Sequence, residues 1–186
     1  MRIIGGTARG KALLAPEGTD TRPTADRTRE ALFNILMRHT PGARVLDLFA
    51  GSGALSAEAL SRGAKSALCV DLSPQACAAA RRNTQLKGVE GSAQVLCMDW
   101  RRALSQMHEP FDIVFLDPPY HMTEVYGEAF SALAERGLLH EESVVVMEYE
   151  QQARLPLPPR AEVFDERKYG RARVMLVRLG KEEDGR

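Results

Sequence analysis

Arg44-Val45-Leu46-Asp47-Leu48-Phe49-Ala50-Gly51-Ser52-Gly53 sets an apolar run directly against a glycine loop. A short apolar run halted by glycines is a buried strand. Ala54 to Ser61 follows as a helix-forming segment, and Gly63 stands where a helix C-terminus favours glycine. Strand, glycine loop and helix together form the opening unit of a parallel sheet with covered faces.

Outward from that unit the pattern repeats. Ala67 to Asp71 predicts a second strand, and Ser73-Pro74 opens a helix running through Gln75–Lys87 to Gly88, with serine as cap and proline in its first turn. Ala93 to Cys97 predicts a third strand, followed by a short helix around Arg101–Met107. Phe111 to Leu116 predicts a fourth, stopped by Pro118-Pro119, with a helix over Glu124–Arg136 and a fifth strand over Ser143–Glu148. The alternation then ends. Arg160–Arg167 and Arg173–Leu179 read as two strands joined at Tyr169-Gly170, an antiparallel hairpin added to a parallel sheet, with its turn at either rim. Upstream, Thr24 is placed to cap an amphipathic helix over Ala25–Arg38, and the first 20 residues read as a small hairpin or loop.

The length of 186 residues and the apolar fraction of 44% suit one α/β domain (23–180), preceded by a basic hairpin or arm (1–22) and followed by a polar tail (181–186). No apolar run approaches the roughly 20 residues that span a bilayer, and the first residues lack the apolar stretch of a signal peptide. Three cysteines, Cys69, Cys77 and Cys97, fall in core-like segments and read as reduced thiols of a cytoplasmic protein. The net charge of zero is unevenly spread. Residues 1–44 hold 8 Lys/Arg against 4 Asp/Glu, residues 45–150 hold 8 against 15, and residues 151–186 hold 9 against 6. Basic ends on an acidic middle suit a polyanion, whose released counterions drive association; solvated surface charge is the competing reading.

In an open parallel sheet, ligands bind beyond the carboxyl ends of the strands where strand order reverses. Three acids stand at such ends: Asp47, Asp71 and Asp99. Asp47 suits a cationic amine, Asp71 the two hydroxyls of a ribose, and Asp99 an adenine amino group, with Trp100 packed nearby. A dinucleotide dehydrogenase shares the strand-end acid, but its fingerprint needs a third glycine where this chain has Ser56. S-adenosylmethionine has no pyrophosphate and needs no such glycine.

Asp117-Pro118-Pro119-Tyr120, at the end of the fourth strand, is the sharpest signal in the chain. The lone pair of an exocyclic base amine is delocalised into the ring. The Asp117 carboxylate and the Pro118 carbonyl can each accept an N–H hydrogen bond, drawing that nitrogen toward tetrahedral geometry. The prolines stiffen the loop, and Tyr120 offers a face on which an unpaired base can stack. Asp-Pro-Pro is also good turn chemistry by itself; the strand-end acids upstream favour the catalytic reading. His121 beside the motif reads as a loop residue.

These features resemble the class I methyltransferase fold, a three-layer, Rossmann-like sandwich whose mostly parallel seven-stranded sheet has its antiparallel last strand inserted between strands five and six. Asp117-Pro118-Pro119-Tyr120 looks like the motif of amino-methylating nucleic-acid enzymes. Arg2-Ile3-Ile4-Gly5-Gly6, the stretch from Arg22-Pro23-Thr24 to Asn34, the strand-one loop, and Lys168-Tyr169-Gly170 are similar to the RsmD family of bacterial 16S rRNA guanine-N2 methyltransferases. The resemblance runs from residue 2 to about 179. It implies S-adenosylmethionine as cofactor, with Asp47, Phe49, Gly51 and Gly53 at its methionine end, Asp71 and Leu72 at ribose, Asp99 and Trp100 at adenine, and Thr24 beside it. Catalysis would fall to Asp117, Pro118 and Tyr120. RNA would be held by Arg2, Arg9 and Lys11 on a flexible arm, together with Arg22, Lys168 and Arg171. The implied partner is 16S rRNA or the assembling 30S subunit, met by a cytoplasmic monomer without metal or membrane. Members of the family often carry glycine where this chain has Ser56.

Two alternatives share the fold. A DNA amino methyltransferase would need a large target-recognition insertion, which the chain lacks. A noncatalytic RNA-binding assembly factor would show degraded acids or glycines, and these are intact. A small-molecule methyltransferase would leave the basic ends without a purpose.

Overall fold

The computed structural model describes residues 1–15 and 23–181, with the side chains of the first helix described from Asp26 onward. Its helices are α1 (Pro23–Ile35), α2 (Ala54–Ser61), α3 (Pro74–Thr84), α4 (Trp100–Leu104) and α5 (Glu124–Glu135). Its strands are β1 (Arg44–Asp47), β2 (Ser66–Asp71), β3 (Ser92–Cys97), β4 (Phe111–Leu116), β5 (Leu139–Glu150), β6 (Ala161–Tyr169) and β7 (Ala172–Leu179). They form one sheet in the order β3-β2-β1-β4-β5-β7-β6. The first five strands run parallel, and β7 pairs antiparallel with both β5 and β6. The expected three-layer sandwich with an inserted last strand is therefore the observed fold. Strand order reverses between β1 and β4, which places the ligand crevice beyond their carboxyl ends.

Alternation along the strands sorts the core into two layers. Leu46, Val114, Val145 and Met147 pack with Trp100, Leu104, Tyr126 and Phe130 of α4 and α5. Val45, Ile113, Phe115, Val144 and Val146 pack with Leu32, Phe33, Ala59 and Leu60 of α1 and α2. That parity decides which strand-end side chains meet.

Several boundaries differ from expectation for local reasons. α1 begins at Pro23, whose fixed φ is preorganised for a first helical turn. Thr24 thus lies inside the helix instead of capping it, and its side chain is outside the described residues, as is Arg22 altogether. α3 stops at Thr84, whose hydroxyl bonds the Ala80 carbonyl. β5 is longer than its apolar run, because its first residues pair with Phe111 and its last with β7. Cys97 is exposed where a core position was expected, since β3 is an edge strand; Cys69 and Cys77 are buried.

The largest correction concerns the N-terminal segment. Residues 1–15 are docked and do not form a flexible arm. Ile3 is fully buried against Leu13 and Ala57, and Arg2 bridges Ala12. The anchor is Glu58 of α2, itself fully buried. Its carboxylate accepts the Ile4 and Gly5 amides, each at 2.8 Å, and pairs with Arg62 at 2.7 Å and Arg29 at 3.6 Å. Gly6 is required at this contact: it has φ +77°, and a Cβ would stand 1.8 Å from the Ser61 carbonyl oxygen. Lys11 is tied down too, its Nζ donating to the Gln85 carbonyl at 2.7 Å.

Candidate active site

Two cavities open beyond the carboxyl ends of the central strands. The larger, about 520 Å³, is lined by Phe49 and Gly51 after β1, Asp71 and Leu72 after β2, Asp99 and Trp100 after β3, and Asp117, Pro118 and Tyr120 after β4. The smaller, about 230 Å³, lies under α1 and is bordered by Asp47, Asp117, Glu148 and Arg29. Phe49, Gly51 and Asp117 line both, so the two are adjoining chambers.

Nine of the expected site residues thus share the larger chamber's wall, and each is held by local structure. Asp71 Oδ2 accepts the Gly51 amide and Oδ1 the Ser73 amide, both at 2.8 Å, so this carboxylate also fixes the glycine loop. Gly51 has φ +52°, and a Cβ there would meet nothing within 4 Å; only glycine leaves that wall open to a ligand. Asp99 caps α4, its Oδ1 accepting the Arg101 and Arg102 amides, while Oδ2 takes no hydrogen bond among the described residues. Phe49 and Trp100 rings stand 6.4 Å apart, tilted 59° to each other, and Arg101 lies over Trp100, giving the chamber an aromatic corner. Tyr120 is half exposed at the mouth. Gly53 departs from the expected set: it lines neither chamber and instead lets α2 approach α3, where a Cβ would sit 3.0 Å from that of Ala80.

The smaller chamber follows from strand parity. Asp47, Asp117 and Glu148 fall on the sheet face occupied by Val45, Phe115 and Val146, and Phe115 pairs with Asp47 on one side and Val146 on the other. Asp117 and Glu148 lie two residues further along their strands, so three carboxylates converge under α1. Burial is the main cause holding the Asp47 carboxyl up at about 7, although the Ser56 hydroxyl donates to its Oδ2 at 3.0 Å and opposes the rise. Asp117 is an exposed residue through the chambers it lines, while protein groups crowd around its carboxyl. Enclosure first, then the charges of Glu148 and Asp47, hold its carboxyl well above the usual range. Burial also raises Glu148. Such a chamber favours a cation or a rich set of N–H donors.

Sequence reasoning missed Glu148 and the Ser56–Asp47 contact. For Glu148 the signal was available: it ends an apolar strand in phase with Val144 and Val146.

The C-terminal turn lies at the same rim. Glu150 pairs with Ala172, and the Gln151 amide bonds the Arg171 carbonyl at 2.9 Å. Lys168 and Arg171 are exposed beside this turn, as are Arg2 and Arg9 on the docked N-terminal segment. Arg2 and Arg9 share a surface cleft with Arg27 of α1.

A family model described as conserved hypothetical protein 95 matches residues 1–178. Ribosomal RNA small subunit methyltransferase D of Escherichia coli K12 is 39% identical over 160 residues, covering 86% of this chain and 79% of that one. The protein of the same name from Haemophilus influenzae is 36% identical over 173 residues, covering 91% and 89%. Among solved structures, yhhF from Escherichia coli superposes with a TM-score of 0.83 at 33% identity, covering 98% of this chain and 99% of that one.

Proposed function

The chain belongs to the family of ribosomal RNA small subunit methyltransferase D, a family of S-adenosylmethionine-dependent enzymes, and we propose that it methylates the exocyclic N2 amine of a guanine in small-subunit rRNA, within the cytoplasm. The observation that carries this reading is the position of Asp117, which stands on the wall shared by a groove suited to adenosine and an acidic chamber.

The wall residues fit S-adenosylmethionine. Asp71 suits the ribose diol, Asp99 Oδ2 the adenine amine, and Asp47 the ammonium of the methionine end, while Gly51 leaves room beside them. Bound there, the cofactor supplies a methyl group already activated by its sulfonium. The remaining work is positioning by the chain's own groups. The Asp117 carboxylate and the Pro118 carbonyl accept amine hydrogens, turning the nitrogen lone pair out of conjugation, and the Pro118-Pro119 pair fixes both acceptors beforehand. Tyr120 stacks on the base at the mouth. The Asp117 carboxylate, in contact with that nitrogen, is placed to take the proton that the methylated amine sheds.

Two results are expected of the cofactor groove. Asp71→Ala weakens S-adenosylmethionine and S-adenosylhomocysteine alike by roughly 1–3 kcal/mol, the worth of a charge-assisted hydrogen bond. Calorimetry showing unchanged affinity, or tight NAD binding by the wild type, overturns the assignment. The second concerns pH. Asp47 is protonated in the free protein up to about pH 7, whereas an ammonium pairs with its ionised form, so binding releases a proton below that pH. Affinity therefore rises with pH toward 7, by up to about tenfold per unit, and levels off above it. Titrations at pH 6 and 8 should show this, and Asp47→Asn should bind weakly with a shallower slope; an unchanged slope removes Asp47 as the ammonium partner.

Lys168 and Arg171, exposed at the reaction rim, are assigned to phosphates of the RNA. Lys168→Ala with Arg171→Ala should raise the RNA Kd and flatten its log–log salt dependence by about one to two units, at roughly 0.7–0.9 per lost phosphate contact. A salt slope equal to the wild type's would make these residues ordinary surface charge.

A further inference from the structure

Glu148 has no task in the chemistry above, yet its side chain borders the acidic chamber beside Asp117. Its carboxylate accepts no hydrogen bond among the described residues; only its backbone carbonyl is engaged, by the Tyr126 hydroxyl of α5. Among the described residues, the charged groups around the chamber are Asp47 at the end of β1, Asp117 just after β4 and Arg29 on α1. Arg29 is committed elsewhere, to Asp26, Glu58 and the Arg2 carbonyl. A half-buried carboxylate with no donor is costly unless the occupant brings one.

Position narrows what that occupant is. The groove residues follow β1, β2 and β3, whereas the acceptor motif follows β4 and Glu148 stands on β5, on the far side of Asp117 from the groove. Asp47 faces the methionine end of the cofactor on the β1 side of that chamber, so Glu148, on its β5 side, faces the base that donates its amine. Among bases with an exocyclic amine, guanine alone carries a second donor, the ring N1–H, next to it. Adenine N1 and cytosine N3 present a lone pair at that place.

Resting on the guanine reading, we propose that Glu148 accepts the N1–H of the target guanine while Asp117 accepts a hydrogen of its 2-amine, so that the pair selects guanine over the other amino bases. A ring lone pair set against the ionised Glu148 would be repelled and would leave the carboxylate unpaired. Sites built to hydrogen-bond a donor reject analogues lacking it far more strongly than apolar pockets do.

The test uses single-turnover methylation of RNA carrying either guanosine or 2-aminopurine at the nucleotide that the wild type modifies. 2-Aminopurine keeps the 2-amine but has an acceptor at N1. The wild type is expected to prefer guanosine by about a hundredfold or more. Glu148→Gln, whose amide donates as well as accepts, should narrow that preference to about tenfold or invert it, at unchanged cofactor affinity. Glu148→Ala should lose activity on guanosine without gaining on 2-aminopurine. A purely structural role would slow both substrates equally and leave the ratio alone. Equal methylation of the two bases by the wild type, or a Glu148→Gln ratio within about twofold of the wild type's, overturns the inference. Should the wild type's product be N6-methyladenosine or N4-methylcytidine, the guanine reading itself fails.

Discussion

Replacing Asp117 with alanine is expected to slow single-turnover methyl transfer by about a thousandfold or more while the Kd for S-adenosylmethionine changes less than about threefold. The magnitude follows from removing a preorganised acceptor that acts on the reacting nitrogen as charge develops there. The asymmetry follows from geometry. Asp117 projects from the end of β4 into the chambers, and the groove's ribose and adenine walls, Asp71 and Asp99, owe nothing to it. The variant should also fold normally, because the change removes a carboxylate that burial first, and then its neighbours Glu148 and Asp47, disfavour in ionised form. Asp117→Asn, which keeps an acceptor oxygen, should fall between the two. Stopped-flow or quenched turnover paired with calorimetry checks both halves, and undiminished turnover in the alanine variant removes Asp117 from the mechanism.

The second large effect is on stability. Glu58→Ala should lower the unfolding free energy by about 3–5 kcal/mol, the range for breaking a buried ion pair from one side. Glu58 has no exposed surface, and its loss strands Arg29, itself 5% exposed, without the counter-charge at its Nε. The Ile4 and Gly5 amides lose their acceptor in the same stroke, which frees the segment bearing Arg2 and Arg9. Glu58→Gln keeps one acceptor oxygen and should cost less. Denaturant titrations of the three proteins measure this; a loss under about 1 kcal/mol for the alanine variant would mean that residues 1–8 are held by their apolar contacts and their hydrogen bonds to Ser61, not by Glu58.

Much of this architecture was legible in the chain. Apolar runs punctuated by glycine and proline located the strands, since a central parallel strand is buried on both faces and cannot hide among polar residues. The strand-end acids and Asp117-Pro118-Pro119-Tyr120 stood out because a carboxylate directly after a buried strand is costly unless it has a task. What escaped was tertiary. Glu58 in a short helix reads as solvated charge, and only the docking of the N-terminal segment over α2 makes it an anchor. Glu148 escaped because an apolar run locates a strand without telling which of its two faces meets a cavity. Gly53 looked like a ligand contact by position, and its actual neighbour, Ala80, is remote in sequence. The rim on which Lys168 and Arg171 lie depended on a register between β5 and β7 that no local pattern encodes.

The pairing of this site with guanine N2 in small-subunit RNA is open to direct measurement. Purified protein is incubated with methyl-labelled S-adenosylmethionine and, separately, with free small-subunit rRNA, unmodified small subunits and duplex DNA, and the labelled nucleoside is identified by mass spectrometry after digestion. Label is expected in N2-methylguanosine from an RNA-containing substrate, abolished in Asp117→Ala, with none from DNA. Label in DNA, in a methylated adenosine or cytidine, or in no nucleic acid at all would contradict it.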